Sequence, residues 1–544
     1  MKNVFFSLLF ALLSLSLFAQ KLNKSDRVTV ANLKTHVSYL ASDQLEGRRT
    51  GTKGEELASK YISEQFQKNG LEPKGESGFL QTFEINEGKQ VMPSSFFIID
   101  GEHLKFEKDY FPFSWSKNGA IEAVAAAALH EGGGAWFWDI GELLQENANN
   151  PHFDLINAIR EKEIDAAQKG AIALIIYNSG TKEAVVKYDG KDRSALSSIP
   201  VIWLEKKWAT KIAAEPSHMM DINIKVEQGE KIRKGYNVVG FINNNAANTV
   251  ILGAHYDHLG YGEDNNSRHT GQASIHNGAD DNASGTAALI ELSRLLKTEG
   301  SKTSNYLFIA FSGEELGLFG SKYFTEHPTV PLSSANYMIN MDMVGRFSDT
   351  AKSITIGGIG TSPAWGALIK EKKPVFNIKV DSSGTGPSDH TSFYRKDIPV
   401  LFFFTGLHTD YHKPGDDAEK INYAGLAGIV KYIEGIVERT PVEDKLAFTK
   451  TREQSMGTGR FKVSIGIMPD YTFSGTGVKA DGVIDGRPAH KAGLQANDVI
   501  LQLGELLITS VETYMQALNR FDKGQTTNIV IKRGSEVLEL PITF

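Results

Sequence analysis

The chain has 544 residues, too many for one ordinary domain, so about two to four domains are expected. With 41% hydrophobic and 23% charged residues it is globular rather than disordered, and a formal charge of −7 argues against a nucleic-acid partner. There is no cysteine, which excludes disulfides, thiolate metal sites and cysteine nucleophiles; any metal must be held by His, Asp and Glu.

In chain order, "MKNVFFSLLFALLSLSLFAQ" places Lys2 before an apolar run from Val4 to Ala19. That run is short for a bilayer span and suits a secretory signal over 1–19. The expectation is an exported chain, periplasmic or extracellular, with no stable membrane span. Residues 31–72 read as helical around the glycine-rich turn "EGRRTGTKGEE". From about 104 to 226 the segments "AIEAVAAAAL", "AIALIIYNSG" and "IPVIWLE" read as strands, and "IREKEIDAAQKG" as a helix feeding one of them.

From Tyr236 apolar strands alternate with amphipathic helices. This pattern predicts an α/β fold with a mostly parallel, mixed sheet flanked by helices. "GIVKYIEGIVERT" is its closing helix, 443–460 a polar linker, and the residues after Phe461 a separate domain.

In such sheets, sites form beyond the carboxyl ends of the strands. "VILGAHYDH" delivers His255, Asp257 and His258 there, and "NGADDNASG" puts Asp280 and Asp281 before a helix. "FSGEELG" brings Glu314 and Glu315, "NMDMVG" brings Asp342, and "LHTDYHKPGDD" brings His408, Asp410 and His412. Each alone is ordinary. Together, so many acids on one edge would destabilise the fold unless cations sat among them. His with Asp and Glu fits zinc or a similar transition ion, and one carboxylate of the tandem pair can bridge two ions while its neighbour turns away.

The constellation resembles the co-catalytic di-zinc aminopeptidases of peptidase family M28, on "LASDQLEGRRTGTKGEE", "GAHYDH", "NGADDNASG", "FSGEELGLFGS", "NMDMVG" and "YHKPGDD" in order. The resemblance implies a zinc peptidase fold over 20–103 and 233–442, two Zn²⁺ per chain and peptide substrates. It implies that His255 and Asp342 hold one ion, Glu315 and His412 the other, and that Asp280 bridges them. Asp257 would orient His255, the peptide joining Asp280 to Asp281 would be cis, and Glu314 would be the general base for a water activated between the ions. Asp389, His390, Phe393, Tyr394 and Tyr411 are candidate pocket residues, whereas His258, His269 and His276 read as loop or wall residues. "VDSSGTGPSDH" lacks the tyrosine that some family members place there.

Residues 104–232 resemble an inserted protease-associated (PA) domain, and 461–544 a PDZ domain. In the latter, Ser464, Ile465, Gly466 and Ile467 stand at the loop that would capture a peptide C-terminus, with Tyr514 on the flanking helix. The function these resemblances imply is a secreted zinc aminopeptidase. The alternatives are a glutaminyl cyclase, a glutamate carboxypeptidase of the same fold, and a non-catalytic PDZ/PA binding protein.

Overall fold

Three strands, β2 (Thr249–His255), β3 (Asn305–Phe311) and β4 (Ala335–Met341), are buried at every position. Continuous burial is what a strand covered on both faces requires, and it explains why these segments are apolar without alternation. This computed structural model describes residues 24–544 except 151–152, 185, 193, 265, 371–375, 441–443, 452–462, 471–472, 474 and 485. The expected signal segment 1–19 and part of the linker 443–460 lie outside the described residues.

The chain divides into two compact units. In the first, a nine-stranded sheet runs in the order Glu72–Pro73, β1 (Gln228–Ile242), β3, β2, β4, β7 (Val400–Phe404), β5 (Ser353–Gly357), β6 (Asn377–Val380), and Leu80–Val91 also pairs with β1. Strand β2 is parallel to both β3 and β4, and β4 to β7, so four carboxyl ends share one edge. Strand β1 is antiparallel to β3, and β5 to β7, which makes the sheet mixed. Helices α1 (Lys24–Leu40), α2 (Lys53–Lys68), α3 (Gly285–Thr298) and α4 (Tyr423–Arg439) contribute buried faces to one apolar cluster with the sheet.

The second unit takes Glu84–Lys234 and the C-terminal segment. Its inserted part has an antiparallel four-stranded sheet and a second sheet in which Ala135–Asp139, Ala173–Tyr177 and Val201–Leu204 run parallel. Within the stretch 84–103, Phe96–Ile99 pairs with Met220–Val226 of this unit. The C-terminal part is a six-stranded antiparallel sheet in which Ile467–Pro469 forms one edge. Helix Val511–Leu518 packs on it and starts with a capping box between Ser510 and Thr513. No described helix is long and apolar enough to cross a membrane.

Candidate metal centre

His255 is the last residue of β2, and Asp257 and His258 follow it at once. The loop after β3 carries Glu314 and Glu315, Asp342 comes straight after β4, and His412 lies in the loop after β7. The fifth contribution comes from the turn Ala279–Ser284 that leads into α3.

The side chains converge in two linked groups. His255 Nε2 lies 3.4 Å from Asp281 Oδ1 and 3.4 Å from Asp342 Oδ1. The other oxygen of Asp281, Oδ2, lies 3.3 Å from His412 Nε2, which is 3.3 Å from Glu315 Oε2. Asp281 therefore divides its two oxygens between two imidazoles.

This corrects the assignment of Asp280. Its Oδ1 instead accepts the Gly345 N–H at 2.6 Å and the Ser284 hydroxyl at 3.1 Å, and its Oδ2 lies 3.3 Å from His408 Nε2. The cis bond is likewise one residue on, at Asp281–Asn282. Two identical side chains in tandem carry no label of which faces inward; the backbone decides. Gly278 is left-handed at φ 52°, and a Cβ there would stand 2.1 Å from the Asp281 carbonyl oxygen and 2.4 Å from the His258 ring. Within the turn that follows, Asp281 (φ −107°, ψ 95°) and Asn282 (φ −129°, ψ 46°) leave helical geometry, so the two neighbouring carboxylates are sent in different directions.

Neighbours hold this turn in place. Asp416 Oδ2 accepts the N–H groups of Asp280 and Asp281 at 2.9 and 3.1 Å. Asn282 donates to Met341 O at 2.9 Å and accepts from Gly285 and Met343, which ties the turn to the end of β4 beside Asp342. The buried Arg48 donates to the carbonyls of Asn277 and Gly278 at 2.8 and 3.0 Å, and to that of Tyr256. Asp416 and Arg48 were not singled out from sequence, although "PGDD" and "EGRRTG" contain them; both act on backbone, which leaves no residue-type signature.

The imidazole tautomers suit ligation. His255 Nδ1 donates to the Asp257 carbonyl at 3.2 Å, and His412 Nδ1 to the Asn266 carbonyl at 2.9 Å, so in each ring Nε2 is the nitrogen that faces the carboxylates and the one a metal would take in place of its proton. Asp257 does more than face His255. Its carboxylate also accepts the Glu314 and Glu315 N–H groups at 3.3 and 3.4 Å and the Thr50 hydroxyl at 3.0 Å. His258, read as a wall residue, donates from Nδ1 to Glu315 Oε1 at 2.7 Å and so fixes which oxygen Glu315 turns inward.

Burial penalises every charge here, yet the acids overcome it at the imidazoles. Glu315 and Asp281 hold His412 up at about 11, and Glu314 and Asp342 hold His255 well above its ordinary range. Not every acid is held down: burial raises Asp342 against the pull of His255, and it raises Glu314 too. Burial, then the like charges of Asp342, Glu315 and Asp389, push its carboxyl well above the usual carboxylate range, with His255 opposing. His255 Nε2 and Asp342 Oδ1 are buried and close, but neither makes a hydrogen bond among the described residues. Donors that converge without hydrogen-bond geometry, in a set of His, Asp and Glu, fit a transition ion such as zinc.

Residues 237–437 match the model of peptidase family M28, and residues 455–544 that of the PDZ domain. Residues 237–437 are thus an M28 peptidase domain. Aminopeptidase YwaD of Bacillus subtilis is 26% identical over 274 residues, covering 48% of this chain and 55% of that protein, so the match spans about half of that relative. A probable lipoprotein aminopeptidase, LpqL of Mycobacterium tuberculosis, is 23% identical over 72% of this chain and 77% of its own length. The solved structure of BSAP, a zinc aminopeptidase from Bacillus subtilis, aligns with 77% of this chain and 98% of its own at 21% identity and a TM-score of 0.42.

The pocket candidates around the M28 centre divide. Asp389 is buried near it; burial, then Asp257 and Asp342, push its carboxyl up to about 7 against the pull of His255. His390 stacks on Phe402 at 4.4 Å, and burial pulls its imidazole down to about 3. Phe393 and Tyr394 are not pocket residues. They are buried in the apolar cluster on the other face of the sheet, with Phe311, Phe324 and Val400, because the short helix His390–Tyr394 turns that side inward. Tyr411 stacks on His412 at 3.9 Å, and burial followed by the charges of Asp281 and Glu315 raises its hydroxyl well above the usual phenol range.

In the PDZ domain, Ser464–Ile467 form the turn into the edge strand, with Ile465 buried and Gly466 left-handed at φ 82°. Tyr514 is buried in that domain's core rather than standing free over a groove.

Proposed function

We propose that the chain is an exported, zinc-dependent aminopeptidase that removes N-terminal residues from peptides, with an inserted PA-like domain and a PDZ domain able to bind a peptide C-terminus. The placement of Asp281 between His255 and His412, with Asp342 and Glu315 on either side, supports two adjacent ions and carries the reading. The named relatives are aminopeptidases, which agrees with it.

His255, Asp281 and Asp342 would hold one ion, and Asp281, Glu315 and His412 the other. Zinc bound there would supply the Lewis acidity that activates water and polarises the scissile carbonyl. Glu314 stays outside both groups, 3.9 Å from His255 Nε2, and its raised pKa suits a general base. It would take a proton from the attacking water and return it to the leaving amine as the C–N bond breaks. Tyr411, kept neutral by the surrounding carboxylates, offers an O–H donor to the carbonyl oxygen as charge develops on it. It stands in for the tyrosine missing from "VDSSGTGPSDH".

The test is hydrolysis by the purified chain of amino-acid p-nitroanilides and their N-blocked counterparts, with zinc counted in parallel. Turnover confined to free-amine substrates is expected. Cleavage of N-blocked peptides from the carboxyl end, or cyclisation of glutaminyl peptides without hydrolysis, would overturn the reading.

A further inference from the structure

Arg268 lies in the loop between β2 and the tandem aspartates, and two contacts fix it against the last metal-ligand segment. Its N–H donates to the His412 carbonyl at 2.9 Å, and its guanidinium lies 4.6 Å from the centre of the Tyr411 ring. Tyr411 in turn stacks on His412. A run of guanidinium, phenol and imidazole thus leads from solvent to the carboxylate cluster.

The loop itself is anchored. Arg49 forms a two-pronged pair with Asp264 at 2.7 and 2.9 Å, and Asn266 donates to the Glu315 carbonyl at 3.2 Å while accepting from His412. Arg268 is exposed, and no carboxylate lies within 4.0 Å of it among the described residues. Elsewhere at this edge the arginines are committed: Arg49 to Asp264, Arg346 to Asp410 at 2.9 Å, and Arg48 to backbone carbonyls. Arg268 is held in place yet keeps its fork of donors for something else.

We propose that Arg268 is a specificity residue that binds a carboxylate on the substrate. Stacking on Tyr411 limits the guanidinium's freedom, so less is lost when the fork closes on two oxygens. The proposal rests on the aminopeptidase reading for its direction: the scissile bond lies among the zinc ligands, so the carboxylate belongs to the leaving fragment. Two sources share that chemistry, the free C-terminus of a short peptide and an acidic side chain just beyond the cleaved bond.

The experiment compares kcat/KM for three matched substrates in the full chain: a dipeptide acid, the same dipeptide as its C-terminal amide, and an amide carrying Glu at the second position. Wild type is expected to prefer one carboxylate-bearing substrate over the neutral amide by about five- to tenfold, mainly in KM. Which one it prefers identifies the source. That preference falls as salt is raised, collapses in Arg268→Gln, and returns in part in Arg268→Lys, which keeps the charge but not the fork.

If Arg268→Gln weakens acid and amide substrates equally, Arg268 only braces Tyr411 and the proposal is overturned. If wild type shows no preference, it is overturned as well. If only N-blocked peptides are cleaved, the aminopeptidase reading fails, and the acid-to-amide ratio of the Arg268 variants on those peptides still decides the role of Arg268.

Discussion

The candidate metal centre and the loop Ser464–Ile467 of the PDZ domain both lie at strand ends, yet they differ in what would do the binding. At the metal centre the working atoms are side-chain oxygens and nitrogens, buried and converging to within 3.3–3.4 Å. At Ser464–Ile467 they would be backbone N–H groups leading into the edge strand of the sheet. The first site is specified by residue type and the second by backbone path. Substitutions should therefore be severe and chemically selective in one, and mild and steric in the other.

The sharpest break is at Glu314. Glu314→Gln keeps the shape, removes the base, and is expected to lower kcat by about 10²–10⁴ while zinc content stays the same. Loss of zinc along with activity would mean that Glu314 is a ligand instead.

The tandem aspartates give the next largest effect and a direct check on the corrected register. Asp281→Asn should lose most of the bound zinc, because one carboxylate serves both groups. Asp280→Asn should keep it, with a milder loss from the weakened contacts to Gly345 and Ser284. Zinc counted per chain in the two variants distinguishes them, and the reverse result would restore the assignment made from sequence.

That exchange shows what the sequence could disclose. The strands were legible because full burial demands continuous apolar runs, and the edge that carries the chemistry followed from their parallel order. His255, Glu314, Glu315, Asp342 and His412 were legible as types because few other residues can serve at such positions. Asp280 against Asp281 was not, since the choice depends on Gly278 and on the turn after it. His258 looked like a wall because its partner, Glu315, is 57 residues away. Phe393 and Tyr394 looked like a pocket because an aromatic residue near a site reads the same as one packed beneath it.

Acid should separate the two regions next. His36, on α1, is buried with Nδ1 at 2.8 Å from the Tyr61 hydroxyl, and burial pulls its imidazole down to about 4 despite Glu291. A folded pKa below the unfolded one means that the unfolded chain binds more protons. Stability is therefore full above the unfolded value of about 6.5 and falls as pH drops toward 4, by up to about 3 kcal/mol from this group. The peptidase unit should lose thermal stability across that window, and His36→Gln should flatten the slope. Hydrogen exchange followed separately in α1 and in the PDZ strands checks it; equal acid sensitivity in both would remove His36 as the cause.

The smallest effect tests the backbone character of the PDZ loop, and it has an unusual sign. The Gly466 N–H already donates to Ser464 Oγ, over a long 3.3 Å. The carbonyls of Ile465 and Gly466 are taken by the N–H groups of Ala489 and Ile484 at 2.8 and 2.9 Å, which holds the turn whether or not a peptide is bound. If a peptide carboxylate is captured by backbone N–H groups, Ser464 competes with it for one of them. Ser464→Ala should then tighten binding of a free C-terminal peptide slightly, within about twofold, because one weak hydrogen bond no longer has to be exchanged. If Ser464 instead donates its own hydroxyl to the carboxylate, the same substitution weakens binding, and side-chain chemistry operates at the PDZ loop as it does at the metal centre. Fluorescence titration with a peptide acid and its amide measures the change, and the amide should not bind in either case.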